Sequence, residues 1–282
     1  MVVECHQVAK TFRVNKKRIT ALHPTDLNIA EGEFLVIGGE NGSGKSTLLK
    51  LMVGLLLPDS GEITVLGLPV AREWKKLAYR IGLVLPSDRS LYWKLTAREN
   101  LIVHGGIYRL SPTQVRQRIP ALLEQMGLAA QQNQLVEGFS TGMRRKLMLA
   151  KALLHQPRLI LADEVLGGLD AQATAEIVKQ LVVLNQQEGV TVVLVSHVLH
   201  DLPADARLVL MKEGRIVLDG PLRQFSFAGF LRLSAQINQA TVEELVEENQ
   251  VAERIRQWTE QGAMDIHVER DDVYALVRRH LR

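Results

Sequence analysis

The chain has 282 residues, 46% hydrophobic and 23% charged, with 34 Lys and Arg against 31 Asp and Glu. That length suits one large domain with a small appendage, and the composition excludes disorder, collagen and coiled coil. A net charge of +3 is too small to argue for nucleic acid, and the single Cys5 excludes an intramolecular disulfide and a thiolate-held structural metal. Apolar runs are too short or too interrupted for a membrane span or a signal peptide. The expectation is therefore a chain of a reducing compartment that reaches a membrane only through another chain.

In chain order, Val2 to Val8 and Phe12 to Val14 read as strand, Asn15 to Lys17 as a polar turn, and Arg18 to Leu22 as the return strand. Phe34 to Ile37 is a short apolar strand running into glycine, and Ser46 to Leu57 reads as a buried helix that Pro58 ends. Residues 61–66 and 80–85 read as further strands. Helical patterning takes over across about residues 92–154, with a capping box and a first-turn proline at Ser111-Pro112-Thr113-Gln114. Leu159 to Ala162 and Thr191 to Val195 are nearly continuous in apolar residues, as parallel strands covered on both faces are. The composition changes after Asp219-Gly220. There a small α+β appendage is expected: a helix capped at Thr241-Val242-Glu243-Glu244 that carries Val251, Ile255 and Trp258, an alternating strand through Ile266 and Val268, and a last helix after Asp271-Asp272 through Val273, Leu276 and Val277. The predicted division is 1–220 and 221–282.

Two motifs carry chemistry on their own. Gly39-Glu40-Asn41-Gly42-Ser43-Gly44-Lys45-Ser46, continued by Thr47, fits G-x-x-x-x-G-K-[ST] between an apolar strand and a helix. Its glycines let backbone N–H groups turn around a polyanion, Lys45 reaches the β and γ phosphates, and the Ser46 hydroxyl is placed for Mg²⁺. Leu159 to Glu164 supplies the other half. An acid at the end of a buried strand needs a cation or solvent, so Asp163 is a second Mg²⁺ partner, and Glu164 is placed to polarise water for attack on the γ phosphorus. The competing reading of Asp163 and Glu164 is a pair of solvated carboxylates in a strand-to-loop turn.

Phe139-Ser140-Thr141-Gly142-Met143-Arg144-Arg145-Lys146 resembles the signature of ATP-binding cassette (ABC) proteins, in the S-x-G-M form common among exporter ATPases of the ABC-2 type. Gly167-Gly168-Leu169-Asp170 resembles that family's D-loop, and His197 stands where its switch histidine stands. The resemblance covers residues 1 to about 220 and implies a P-loop NTPase cassette with an N-terminal antiparallel β subdomain and a helical signature subdomain. It also implies a Mg²⁺-dependent ATPase that works as a homodimer or paired with another ABC ATPase, on the cytoplasmic face of an integral membrane permease. On it, Ser140, Thr141, Gly142 and Met143 meet the nucleotide of the opposite subunit, Asp170 links the two sites, and His197 contacts the γ phosphate in cis. Phe12 occupies the place of the adenine-stacking aromatic, against the alternative of an apolar residue of the hairpin core. Lys16 to Arg18 and Arg144 to Lys146 read as solvated surface.

The family's glutamine after the third strand is missing. Ile81 to Leu85 is followed by Pro86, Ser87 and Asp88, so Ser87 or Asp88 takes that role or the metal keeps a water there. Two other classes compete with the transporter ATPase. One is a nucleotide-driven clamp on nucleic acid or ribosomes. It lacks support because the interval from Ser46 to Ser140 is too short for a long coiled coil and the chain holds one cassette. The other is an ATP sensor with little turnover, prompted by the missing glutamine.

Overall fold

The computed structural model describes residues 1–15, 17–87, 90–199, 202–225, 230–237 and 240–269. An antiparallel sheet of order β2-β1-β4-β5 comprises β1 (Val3–Val14), β2 (Lys17–Ile29), β4 (Ser60–Val65) and β5 (Leu68–Pro69). A six-stranded sheet of order β10-β9-β3-β8-β7-β6 holds β3 (Phe34–Gly39), β6 (Ile81–Val84), β7 (Leu159–Asp163), β8 (Thr191–Val195), β9 (Arg207–Lys212) and β10 (Arg215–Pro221). Its strands are parallel except for β10, which returns antiparallel to β9. This is the α/β cassette expected, with helices α1 (Lys45–Met52), α2 (Val70–Leu77), α3 (Ala97–Ile107), α4 (Pro112–Gln125), α5 (Thr141–Leu153) and α6 (Ala171–Gln186).

The six-stranded sheet separates two buried clusters, and its strands alternate between them. Phe34 and Val36, Ile160 and Ala162, and Val192 and Leu194 join the side that carries α3 to α6. Leu35 and Ile37, Leu159 and Leu161, and Val193 and Val195 join the side of α1 and the antiparallel sheet. Burial on both faces is why these strands are continuously apolar in sequence.

Three local expectations are corrected. Helix α1 ends at Met52 and not at Leu57. Gly54 takes a left-handed φ of 74°, its N–H reaches Leu51 O at 3.2 Å, and Leu55 N–H reaches Lys50 O at 3.0 Å. That double bond closes a helix end, so Leu55 and Leu57 stand about half exposed. Thr241 to Glu244 caps no helix. It lies in β12 (Ala240–Glu247), which pairs along its length with β11 (Phe230–Ile237), and the helix begins only at Val251 as α7 (Val251–Glu260). Val242 and Val246 are four apart, a spacing that fits one helix face and one strand face equally, and pairing with β11 decides for the strand. Third, Arg144 to Lys146 is half-buried and not a solvated face: Arg144 donates to Phe139 O, Arg145 to Pro86 O, and Lys146 pairs with Glu176. The small sheet β12-β11-β13 includes β13 (Met264–Glu269), where Ile266 and Val268 alternate as expected, and its own cluster gathers Leu233, Ala235, Val246 and Trp258. Asp88, Asp271, Asp272, Val273, Leu276 and Val277 lie outside the described residues.

Where α3 meets the start of β6, His155 stacks on Tyr108 (3.9 Å between centroids, 5° between planes) and donates from Nε2 to Ile81 O at 3.1 Å. His104 meets the same ring edge-on at 5.1 Å. Burial pushes both imidazoles down to about 4 from 6.5, helped at His104 by Lys151 and at His155 by Arg118. The unfolded chain therefore binds protons between pH 6.5 and 4 that the fold refuses, so stability is complete above that window and falls as pH drops through it. Discounted for partial exposure, each site is worth about 2 kcal/mol by pH 4. Thermal unfolding followed from pH 7 to 4 should show the fall. His155→Phe, which keeps the stack, should remove about half of it, and an unchanged slope would count against this origin.

Candidate functional site

The turn from β3 into α1 is shaped by two glycines that no other residue could replace without movement. A Cβ on Gly39 would lie 2.3 Å from Met211 O, and one on Gly44, whose φ is 106°, would lie 2.5 Å from Ala21 O. The loop Gly39 to Ser46 is thus pressed between β2 and the β9–β10 hairpin, and Gly214 N–H donates to Ser43 O at 2.9 Å. Gly44 caps α1 with no side chain, so the first-turn N–H groups stay available to an outside acceptor. Lys45 is buried, its Nζ donating to Gly39 O at 2.7 Å and Glu40 O at 2.9 Å. Ser43 Oγ is also buried and has no hydrogen-bond partner among the described residues. A cation, a ring of N–H groups and an orphaned hydroxyl around one loop suit a polyphosphate.

Parallel pairing of β3, β8 and β7 carries the acids to this loop. Ser46 Oγ donates to Asp163 Oδ1 at 3.1 Å. Asp163 is 1% exposed, and burial holds its carboxyl above the usual carboxylate range, countered by the Ser46 hydroxyl and reinforced by the charge of Glu164. A hydroxyl beside a carboxylate that burial strains toward neutrality is a donor set that fits Mg²⁺. The raised value means that ionising Asp163 works against the ligand-free fold, and that stability is lost as pH rises past the ordinary carboxylate range. Asp163→Asn should accordingly raise the unfolding temperature of the ligand-free chain at pH 7 while removing the extra stabilisation that Mg²⁺ adds to ATP. A calorimetric scan with and without Mg²⁺ reads both, and an unchanged Mg²⁺ increment would exclude Asp163 from the metal site.

Glu164 has a left-handed φ of 46°, uncommon for a residue with a side chain, and its N–H is held by Val195 O at 3.0 Å. Its Oε1 lies 3.3 Å from His197 Nε2. His197 is brought there by a turn that sequence inspection passed over: the buried Ser196 hydroxyl bridges Val198 N and O at 2.9 and 2.8 Å. Ser46, Asp163, Glu164 and His197 therefore converge at the C-terminal ends of β7 and β8, beside the loop that follows β3.

Ser140, Thr141, Gly142, Met143 and Asp170 form a second cluster. Ser140 caps α5, accepting from Met143 N at 3.2 Å, and Asp170 caps α6, accepting from Ala173 N at 2.8 Å. A Cβ on Gly142 would lie 3.2 Å from Ala173 Cβ, so the two helix starts pack together. Phe12 is half-buried on β1 opposite Ile19, outside both clusters that flank the main sheet, with Lys10 Nζ 5.8 Å above its ring. Ser87 follows β6 at the surface.

A family model described as ABC transporter matches residues 22–167. The chain is 35% identical over 222 residues to the Nod factor export ATP-binding protein I of Neorhizobium galegae, across 78% of this chain and 62% of that one. It is 31% identical over 259 residues to the methionine import ATP-binding protein MetN of Geobacillus kaustophilus (strain HTA426), across 90% of this chain and 74% of that one. The dimeric post-hydrolysis state of the ATP-binding cassette MJ0796 bound to ADP and Pi resembles it with a TM-score of 0.71 at 32% identity, covering 79% of this chain and 100% of that one. With the phosphate loop, the Ser46–Asp163 pair and these likenesses together, the chain belongs to the ATP-binding subunits of ABC transporters and is a Mg²⁺-dependent ATPase.

Proposed function

We propose that this chain powers an exporter of the ABC-2 type, as a homodimer or paired with another ABC ATPase, on the cytoplasmic face of an integral membrane permease. Residues 1–220 form the cassette and 221–282 an accessory region. Gly39 to Thr47 cradle the phosphates, with Lys45 on the β and γ groups, and Ser46 and Asp163 hold Mg²⁺. Glu164 polarises the attacking water, His197 contacts the γ phosphate, and Phe12 stacks on adenine. Ser140 to Met143 and Asp170 face the partner's nucleotide, where the N–H groups that the Ser140 cap leaves free at the start of α5 are offered to phosphate. The observation that carries the hydrolytic part is the convergence of Ser46, Asp163, Glu164 and His197, with Glu164 held in a strained backbone conformation. Export is supported by the Ser140-Thr141-Gly142-Met143 form of the signature and by the Nod factor export relative.

A second reading, the ATPase of an importer, has one observation in its favour: the alignment with the methionine import relative covers 90% of this chain and so extends beyond the cassette. Co-purification of the tagged chain from its native membrane separates the two. An ABC-2 type permease in the eluate supports export, whereas a permease that co-purifies with a solute-binding protein overturns it.

A further inference from the structure

The turn after β6 lies at the flank of the catalytic edge. In the parallel register Val84, which ends β6, pairs with Ala162, two residues before Glu164. Proline at 86 offers no side chain to reach the site, yet its carbonyl is engaged: Arg145, on the first turns of α5, donates to Pro86 O. Six residues further along α5, Lys151 donates from Nζ to Ser90 O at 3.2 Å. Lys151 is 7% exposed, an unusual place for a lysine, and burial pushes its ammonium down to about 8. Beyond the turn the chain is bolted to the single 3-10 turn Val136–Gly138 that precedes the signature. Leu95 O and Trp93 O accept from Val136 N and Glu137 N, each at 3.0 Å, and the Arg144 guanidinium lies 5.6 Å over the Trp93 ring.

We propose that Arg145 and Lys151 are positioning residues that fasten the turn after β6 to the signature helix, carrying from α5 to the flank of Glu164 the linkage that a side chain at position 86 cannot supply. The helix that begins at Ser140 and the edge beside Glu164 then move as one body. The inference rests on the proposed role of Glu164, and it concerns how fast the nucleotide turns over and not how tightly it is held, because neither cation belongs to the phosphate loop. It also gives the fastening a pH dependence. Lys151 acts on His104 of α3; the His104 and His155 rings flank Tyr108, the residue after α3, and Arg118 of α4 acts on His155. Both imidazoles are held near 4 and burial raises the Tyr108 hydroxyl, so across pH 7 to 9 the change of charge there falls to Lys151.

The test uses the full chain with MgATP, measuring kcat and KM from pH 7 to 9 together with amide hydrogen exchange over residues 84–96. Lys151→Met and Arg145→Ala should each lower kcat about tenfold with KM within about twofold, as expected for a lost charged hydrogen bond that acts on turnover alone, and should speed exchange in that segment. Wild-type kcat should fall as pH passes 8, and Lys151→Arg should restore kcat and remove the fall. Unchanged kcat and exchange in both Arg145→Ala and Lys151→Met overturn the proposal, as does a Lys151→Arg profile parallel to wild type, or a loss that appears in KM alone. Should Lys151→Met fail to fold, Arg145→Ala and Lys151→Arg decide. The exchange measurement stands apart from Glu164: wild-type turnover in Glu164→Gln would remove the catalytic reading while leaving the fastening visible.

Discussion

Glu164→Gln should lower the ATPase kcat by about a hundredfold to a thousandfold while leaving ATP affinity unchanged. The substitution is nearly isosteric, so the left-handed backbone at this position, the bond from its N–H to Val195 O and the approach to His197 all survive. What disappears is a carboxylate able to draw a proton from water. Because hydrolysis is the step lost, MgATP should accumulate on the protein, and the closed pair of chains with it, which size-exclusion chromatography in ATP would detect. Wild-type turnover would take Glu164 out of the base role. A drop accompanied by weaker ATP binding would mean instead that the strained turn from Glu164 to Gly167 had relaxed and disturbed Asp163, one residue back.

The readable part of the site was the part encoded contiguously. Gly39 to Ser46 declares itself because a phosphate cradle needs consecutive N–H groups, and its spacing is fixed by backbone geometry over eight residues. Asp163 and Glu164 were legible as acids ending an apolar strand. The distances among them were not, since they depend on which strands are neighbours: β8 lies between β3 and β7 although it follows both in sequence. The same limit hid Ala21 and Met211, whose carbonyls wall the loop, and Arg145, whose partner Pro86 is 59 positions away. Local pattern failed at Thr241 to Glu244, where a capping-box sequence lies in a strand paired with β11, and at Gly54, where one left-handed residue ended a helix that hydrophobicity alone would have continued to Leu57.

Gly44→Ala should weaken ATP binding by about a hundredfold, and the neighbouring Gly42→Ala should do markedly less. Both positions have left-handed or related φ, 106° and 82°, which an L side chain tolerates at roughly 1–3 kcal/mol. They differ in their surroundings. A Cβ on Gly42 meets nothing within 4 Å, whereas one on Gly44 would lie 2.5 Å from Ala21 O and 3.3 Å from Met211 Cε. Ala21 O belongs to β2, which is paired to β1, so it is the loop that must yield. Any retreat of Gly44 carries with it the start of α1, whose N–H groups are proposed to face the phosphates, and Ser46, whose hydroxyl donates to Asp163. A loss of about 2.7 kcal/mol, or a hundredfold, is what displaced N–H donors and a misaligned metal ligand together would remove. Nucleotide titration by calorimetry compares the two variants directly. Equal losses would assign the effect to backbone conformation alone. A loss confined to Gly44→Ala would show that the antiparallel sheet, through one carbonyl of β2, sets the shape of the phosphate loop.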